Sequence, residues 1–284
     1  MLRFLCLSLL IALAGPGHGQ QTAPSPRQQV QAAETVWEVM QLDLLAPILR
    51  DEAVAEGAEM AATMFPRGGT GLWLSKVAAL HHPARIKALF LGGLAQAVPG
   101  ADPRKVQAGL DFYRTAFGRR LLALEASARV AMLDEDVDAA ARDAFVQAVR
   151  QKSPRAAQIA RLIEVADLVE PNVEGGLNAA IAFSTGFQEG GGFPMPLSEQ
   201  QIIEDAWSQE PQMRADTEDW IGAYLFLAYS SLTDAELDAY IVFAGSDEGR
   251  ALSRLMFAGF DAVLGRTSRD MGLAAATELR GRQL

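Results

Sequence analysis

The chain is short of the residues that build most catalytic and metal centres. Its one cysteine is Cys6, which leaves no partner for an internal disulfide and no thiolate cluster for a metal. It has three histidines, and His81 and His82 are adjacent, just before Pro83. Neighbours on a helix point about 100° apart, so the pair makes a poor shared metal site and reads instead as a helix end or turn. No His-Glu-x-x-His and no Gly-x-Ser-x-Gly occurs, so the common zinc-protease and nucleophile-elbow patterns are absent. Positive charge is also in short supply: 25 Lys and Arg stand against 35 Asp and Glu, a net charge of −10. Such a surface has no excess of cations to replace counterions, which argues against nucleic acid and anionic lipid as partners. Alternating strand patterns are nearly missing. The most apolar stretch, Trp220–Leu232, has the length of a buried helix and falls short of the roughly 20 residues that span a bilayer, so no membrane anchor is expected.

What is present begins at the N-terminus. A single basic residue, Arg3, precedes an apolar run from Phe4 to Ala14, then small residues and a proline. This is the layout of a secretory signal peptide over residues 1–19, and it predicts export to the periplasm. Cys6 lies too early in it to mark a lipoprotein. Residues 20–34, rich in Gln, Pro and Ser as far as Gln31, read as a flexible leader.

Beyond the leader, apolar residues recur at helical spacing, as in Val36, Val39, Met40 and Leu44, or Ile159, Leu162, Ile163 and Ala166. Ser153-Pro154 is a helix start, and Ser198…Gln201 and Thr233…Glu236 have capping-box spacing. The expected fold is all-α: a helical bundle built from two tandem related units, over 35–150 and 153–284. The relation rests on one pattern that occurs twice. In the second copy Thr233 caps a helix ending in Phe243, Gly245 releases the chain, and Ser246 caps the next helix. Gly249, on its first turn, lets the two helices approach. In the first copy Asp102, Phe112, Thr115 and Gly118 stand at the matching places, 131 residues earlier (249 − 118). Upstream, Asp43-Leu-Leu-Ala-Pro47 matches Asp167-Leu-Val-Glu-Pro171 at a shift of 124 (171 − 47).

The stretch Leu232–Phe243 followed by Ser246-Asp-Glu-Gly249 resembles the domain of unknown function 2059 family, exported bacterial helical proteins. The similarity is best over about 230–284, with a weaker copy near 100–133. Ala244 and Asp247 depart from that family's usual tyrosine and proline. The resemblance implies an exported, all-helical protein and no particular reaction.

Other candidate sites are weak. Asp134, Asp136 and Asp138 start a calcium-loop spacing, but Ala139 and Phe145 stand where glycine and glutamate are needed. Gly190–Gly192 lacks the lysine and hydroxyl of a phosphate loop and reads as a flexible hinge. Glu164, Asp167 and Glu170 would share one helix face. The four tryptophans read as core. No catalytic residue, metal ligand or cofactor site is assigned. The sequence therefore points to a non-enzymatic exported protein that binds a protein partner or an apolar ligand. The competing expectation is a carboxylate-dependent hydrolase acting on glycans, since two acids suffice for that chemistry.

Overall fold

A computed structural model describes residues 24–65 and 70–281, so the export signal expected over residues 1–19 lies outside the described residues. The described chain is all-α, with no strand among its elements. Helices α1 (Pro26–Val39), α2 (Leu42–Met64), α3 (Thr70–Leu80), α4 (Pro83–Ala97), α5 (Pro103–Arg114) and α6 (Ala116–Ala131) come first. A linking helix, α7 (Glu135–Arg150), follows. Then come α8 (Pro154–Val165), α9 (Val169–Glu189), α10 (Glu199–Ser208), α11 (Glu210–Ala228), α12 (Asp234–Ala244) and α13 (Asp247–Gly281). None of the described helices is long and apolar enough to cross a membrane.

The six helices before α7 and the six after it pack in the same order. In each set the first helix lies against the fourth and fifth, the second against the third, fourth and sixth, and the fifth against the sixth. The two sets are not separate bodies. The long α13 runs along α9 and also along α4 and α5, and one core cluster draws buried residues from both sets, among them Trp37, Phe90, Leu121, Leu162, Leu237 and Leu252. A smaller cluster around Trp73, Val77, Phe187 and Ala275 closes the end where α2 and α3 meet α13.

Several expectations change. The leader ends early: Ser25 and Gln28 form a reciprocal capping box, Pro26 sits at the first helical position, and α1 buries Ala33, Val36 and Trp37. Its polar residues are the solvent side of an amphipathic helix, so the first set starts near residue 26 and not at 35. Glu164, Asp167 and Glu170 do not share a helix, because Asp167 takes a left-handed conformation (φ 50°) between α8 and α9. Gln41 does the same (φ 54°) between α1 and α2. The equivalent turns are thus 126 residues apart (167 − 41), and the match of Asp43 with Asp167 is out of register by two. Gly190–Gly192 is a packed turn: a Cβ at Gly190 would meet Ala276 at 2.5 Å and one at Gly192 would meet the Phe187 ring at 2.5 Å. Trp207 is 58% exposed and is not core. Ser153 stands at the start of α8, although its side chain makes no capping bond. His82 caps α4 by accepting the Ala84 N–H on Nδ1.

The repeated pattern has one geometry at both sites. Thr115 Oγ1 donates to Phe112 O at 2.6 Å and accepts from Gly118 N at 3.0 Å. Ser246 Oγ donates to Phe243 O at 2.6 Å and accepts from Gly249 N at 3.1 Å. A Cβ would lie 2.4 Å from Phe112 O at Gly118 and 2.3 Å from Phe243 O at Gly249, distances at which something must move. Gly245 has an ordinary right-handed backbone (φ −79°), so its use is to fit against Val165 and not to reverse the chain. The two junctions face each other: Phe112 stacks on Phe243 at 3.6 Å, and salt bridges Lys105–Asp247 and Arg120–Glu236 flank the stack at 2.7 Å.

Gly118→Ala and Gly249→Ala should each lower stability by about 1–3 kcal/mol through overpacking. Gly265→Ala, in open space on α13, should raise it by about 0.5–1 kcal/mol. Urea melts of the three variants check this; equal effects at all three positions would remove the packing account of the junctions.

Candidate functional site

All four tyrosines of the chain, Tyr113, Tyr224, Tyr229 and Tyr240, gather round one carboxyl, that of Glu125 on α6. Tyr229 Oη donates to Glu125 Oε1 at 2.5 Å, and Tyr224 Oη donates to the Glu125 backbone carbonyl at 3.1 Å. Tyr240 packs edge-on against Tyr229, and its hydroxyl shares a 3.3 Å hydrogen bond with that of Tyr113. Tyr229 follows α11 at the turn, Tyr224 lies one turn earlier, and Tyr240 comes from the apolar side of α12.

The group borders a chamber of about 310 Å³. Its floor and walls are mostly apolar: Leu42, Leu45, Leu122, Leu162, Ile221, Leu225, Met256 and Phe260, with Trp220 stacked on Tyr224 at one side. Exposed Leu44 and Asn172 stand at its rim. The left-handed turns at Gln41 and Asp167 frame it, through Met40, Gln41 and Leu42 from one and Ala166 and Leu168 from the other. The chamber also uses corresponding positions of α6 and α13. Glu125 pairs with Met256, Ala126 with Phe257 and Arg129 with Phe260, each pair 131 residues apart (256 − 125, 257 − 126, 260 − 129). The chamber therefore lies between matching faces, one carrying an acid and a base and the other a thioether and a ring.

A second chamber of about 340 Å³ adjoins it, sharing Leu45, Arg129, Asn172, Phe257 and Phe260. Arg129 stands at the partition. Its guanidinium is held by both carboxylate oxygens of Glu52, at 2.6 and 3.0 Å, and lies over the Trp220 ring at 5.3 Å. Such a forked pair uses the cation's strongest donors and leaves it close to neutral toward a ligand. The second chamber contains Glu56 and Asp261, whose carboxyls burial pushes above their ordinary range, and His81, whose imidazole burial pushes below its own.

Glu125 is the electrostatically unusual group. Desolvation by the surrounding protein raises its pKa from 4.5 to about 7, and the Tyr229 hydrogen bond opposes that rise. Burial raises all four tyrosines above their ordinary value as well, so they stay neutral donors at any ordinary pH. What the arrangement can do chemically is present one carboxyl, poised near neutrality, inside an otherwise oily space.

The residues singled out by the sequence pattern lie beside the chamber and do not line it. Asp102 and Thr233 cap α5 and α12, and Glu236 completes the second cap. Phe112, Thr115, Gly118, Phe243, Ser246 and Gly249 make the two junctions, which meet through the Phe112–Phe243 stack. The nearest link is Tyr240, one turn before Phe243, which reaches from the junction into the chamber. Sequence reasoning missed Glu125 because nothing local marks it; the signal available was the scarcity of tyrosine together with three of the four lying between 224 and 240. Among the described residues, no group of three or more His, Cys, Asp or Glu is placed to hold a metal ion. No family model, curated protein or solved structure matches the chain.

The raised pKa of Glu125 has a definite sign in stability. The folded state binds its proton more tightly than the unfolded chain, so the contribution is full below about pH 4.5 and is lost as pH rises through about 7. With allowance for solvent in the chamber, the loss is about 2–3 kcal/mol. Glu125→Gln, which mimics the protonated acid, should leave stability at acid pH unchanged and raise it by this amount above neutrality. Urea titrations of both chains across that range measure it, and parallel pH profiles would show that Glu125 is not held neutral.

Proposed function

We propose that this is an exported, non-enzymatic binding protein whose central chamber takes a small, largely apolar ligand. The single observation that carries this reading is the chamber itself. Its size falls in the range of small-molecule sites, its walls are aliphatic and aromatic, and its polar groups are few and convergent. Export follows from the signal-like pattern of residues 1–19, and the acidic surface is compatible with it. Relationship to the domain of unknown function 2059 family is part of the same proposal and rests on the α12–α13 motif. Duplication of one six-helix unit is likewise proposed; it is supported by the repeated packing order and by the two junctions with equal hydrogen bonds.

A glycan hydrolase is the second reading, and one observation favours it: a carboxyl with a pKa near 7 suits a general acid. That chemistry needs a second carboxylate facing the first across the bond to be cleaved. Glu125 is the single carboxylate among the residues that line the first chamber, and the walls offer little to the hydroxyls of a sugar. Binding is therefore better supported than hydrolysis.

Octanol is a suitable first probe. Calorimetry should show saturable binding at one site per chain. Ala126→Phe, which fills the chamber from α6, should abolish it while circular dichroism and the melting temperature stay near those of the parent. Undiminished octanol binding in a folded Ala126→Phe chain would place the ligand elsewhere.

A further inference from the structure

We infer that the chamber selects an apolar primary amine, with its ammonium at Glu125 and its hydrocarbon body along α2, α8 and α13. This rests on the binding reading given above and names the ligand class. Three observations carry it, and each concerns what the protein has left uncommitted.

The first is the hydrogen-bond inventory at the carboxyl. Of the two Glu125 oxygens, only Oε1 receives a hydrogen bond from a described residue, the Tyr229 hydroxyl. The Tyr224 hydroxyl goes to the Glu125 backbone carbonyl. The Tyr229 and Tyr224 hydroxyls are thus both committed to Glu125, and Oε2 receives no hydrogen bond from a described residue. A ligand completes this site by donating, and an ammonium has three donors.

The second is charge. Arg129 is the other charged side chain in the chamber wall, and Glu52 engages it through both carboxylate oxygens. An anionic ligand would meet a carboxylate without a free cation to offset it. A cationic ligand supplies the counter-charge that no described residue gives Glu125, and so removes the main cost of ionising it there.

The third is the kind of wall. Trp220, Tyr224, Tyr229 and Phe260 surround the polar end, and ring faces attract cations. Trp220 already accepts one, the Arg129 guanidinium at 5.3 Å. The aliphatic part of the wall, with Leu42, Leu122 and Leu162, suits an alkyl chain.

Octylamine, octanol and octanoate share one body and differ in the head group, which makes them the test. Calorimetry at about pH 8, where Glu125 is mostly ionised, should rank octylamine about ten-fold or more tighter than octanol, with octanoate weakest, since a charge-assisted hydrogen bond exceeds a neutral one by this much. In Glu125→Gln the amine should fall to within about three-fold of octanol. The parent chain gives a second check: lowering pH to about 5 protonates Glu125 while the tyrosines stay neutral, so the amine preference should shrink toward that of the alcohol, and Glu125→Gln, which keeps Glu56, Asp261 and His81 of the adjoining chamber, should show no such pH dependence. Saturable binding of all three with equal affinity would overturn the amine inference and leave the apolar-ligand reading intact. Failure of all three to bind would overturn both.

Discussion

Phe112 lies flat on Phe243, and this contact exists only because two helix junctions bend sharply enough to bring the rings forward. At each junction a hydroxyl takes the role of a splint: it donates back to the aromatic residue's carbonyl and accepts from the glycine N–H three residues on. The glycine is then pressed so close to that carbonyl that a methyl group would not fit. A larger residue would push the carbonyl, and with it the ring, out of the stack. Helices α5, α6, α12 and α13 all depart from this point, so their relative placement follows from two small residues and two hydroxyls. The core is built outward from there, with Tyr113 and Tyr240 one layer deeper and Trp37, Phe90 and Leu121 beyond.

The chamber is a consequence of that arrangement. Two bent helix pairs of like geometry meeting face to face leave a space between the helices that run away from the bend, and α6 and α13 border it. Filling the space fully would have needed large side chains from both faces. Met256 and Phe260 supply them on one side, whereas Glu125 and Arg129 stand on the other. A carboxyl in such a place costs stability above neutral pH unless something offsets it. The protein offsets Arg129 internally through Glu52 and gives Glu125 only neutral hydroxyls. Arg129 is thus settled within the fold, and Glu125 is left with a need that a ligand can meet.

The helical class and several helix starts were legible in the sequence, because caps and periodicity are local. Thr233 with Glu236, Ser198 with Gln201 and Asp102 before Pro103 mark boundaries by chemistry that acts within three residues. The same kind of signal at Ser25 and Gln28 went unread because the helix it opens is polar on its solvent face and follows a stretch rich in Gln and Pro. Left-handed residues were harder: nothing in the identity of Gln41 announces the turn, and Asp167, though of a type enriched there, sits in a run that also fits a helix. The chamber was not legible at all. Tyr224 and Tyr229 stand 99 and 104 residues from Glu125 in the chain and meet it only through tertiary packing. A lone glutamate in an amphipathic helix looks like any other solvent-facing acid.

The difference between the two faces of the chamber bears on how such a site arises. If Met256 were also a glutamate, two carboxyls would line one small apolar space and repel. If both faces had carried Met and Phe, the space would tend to close as ordinary core. Keeping one polar face and one apolar face holds the chamber open without self-repulsion, and it fixes the orientation of any elongated occupant. The two faces also load the fold unequally. Mutation of Met256 or Phe260 removes packing that either half could repair with another hydrophobe, whereas Glu125 has no substitute that keeps both the Tyr229 hydrogen bond and an ionisable oxygen. The structural debt of the chamber is therefore concentrated in one residue, and that residue is where a bound molecule would be felt most strongly by the rest of the fold.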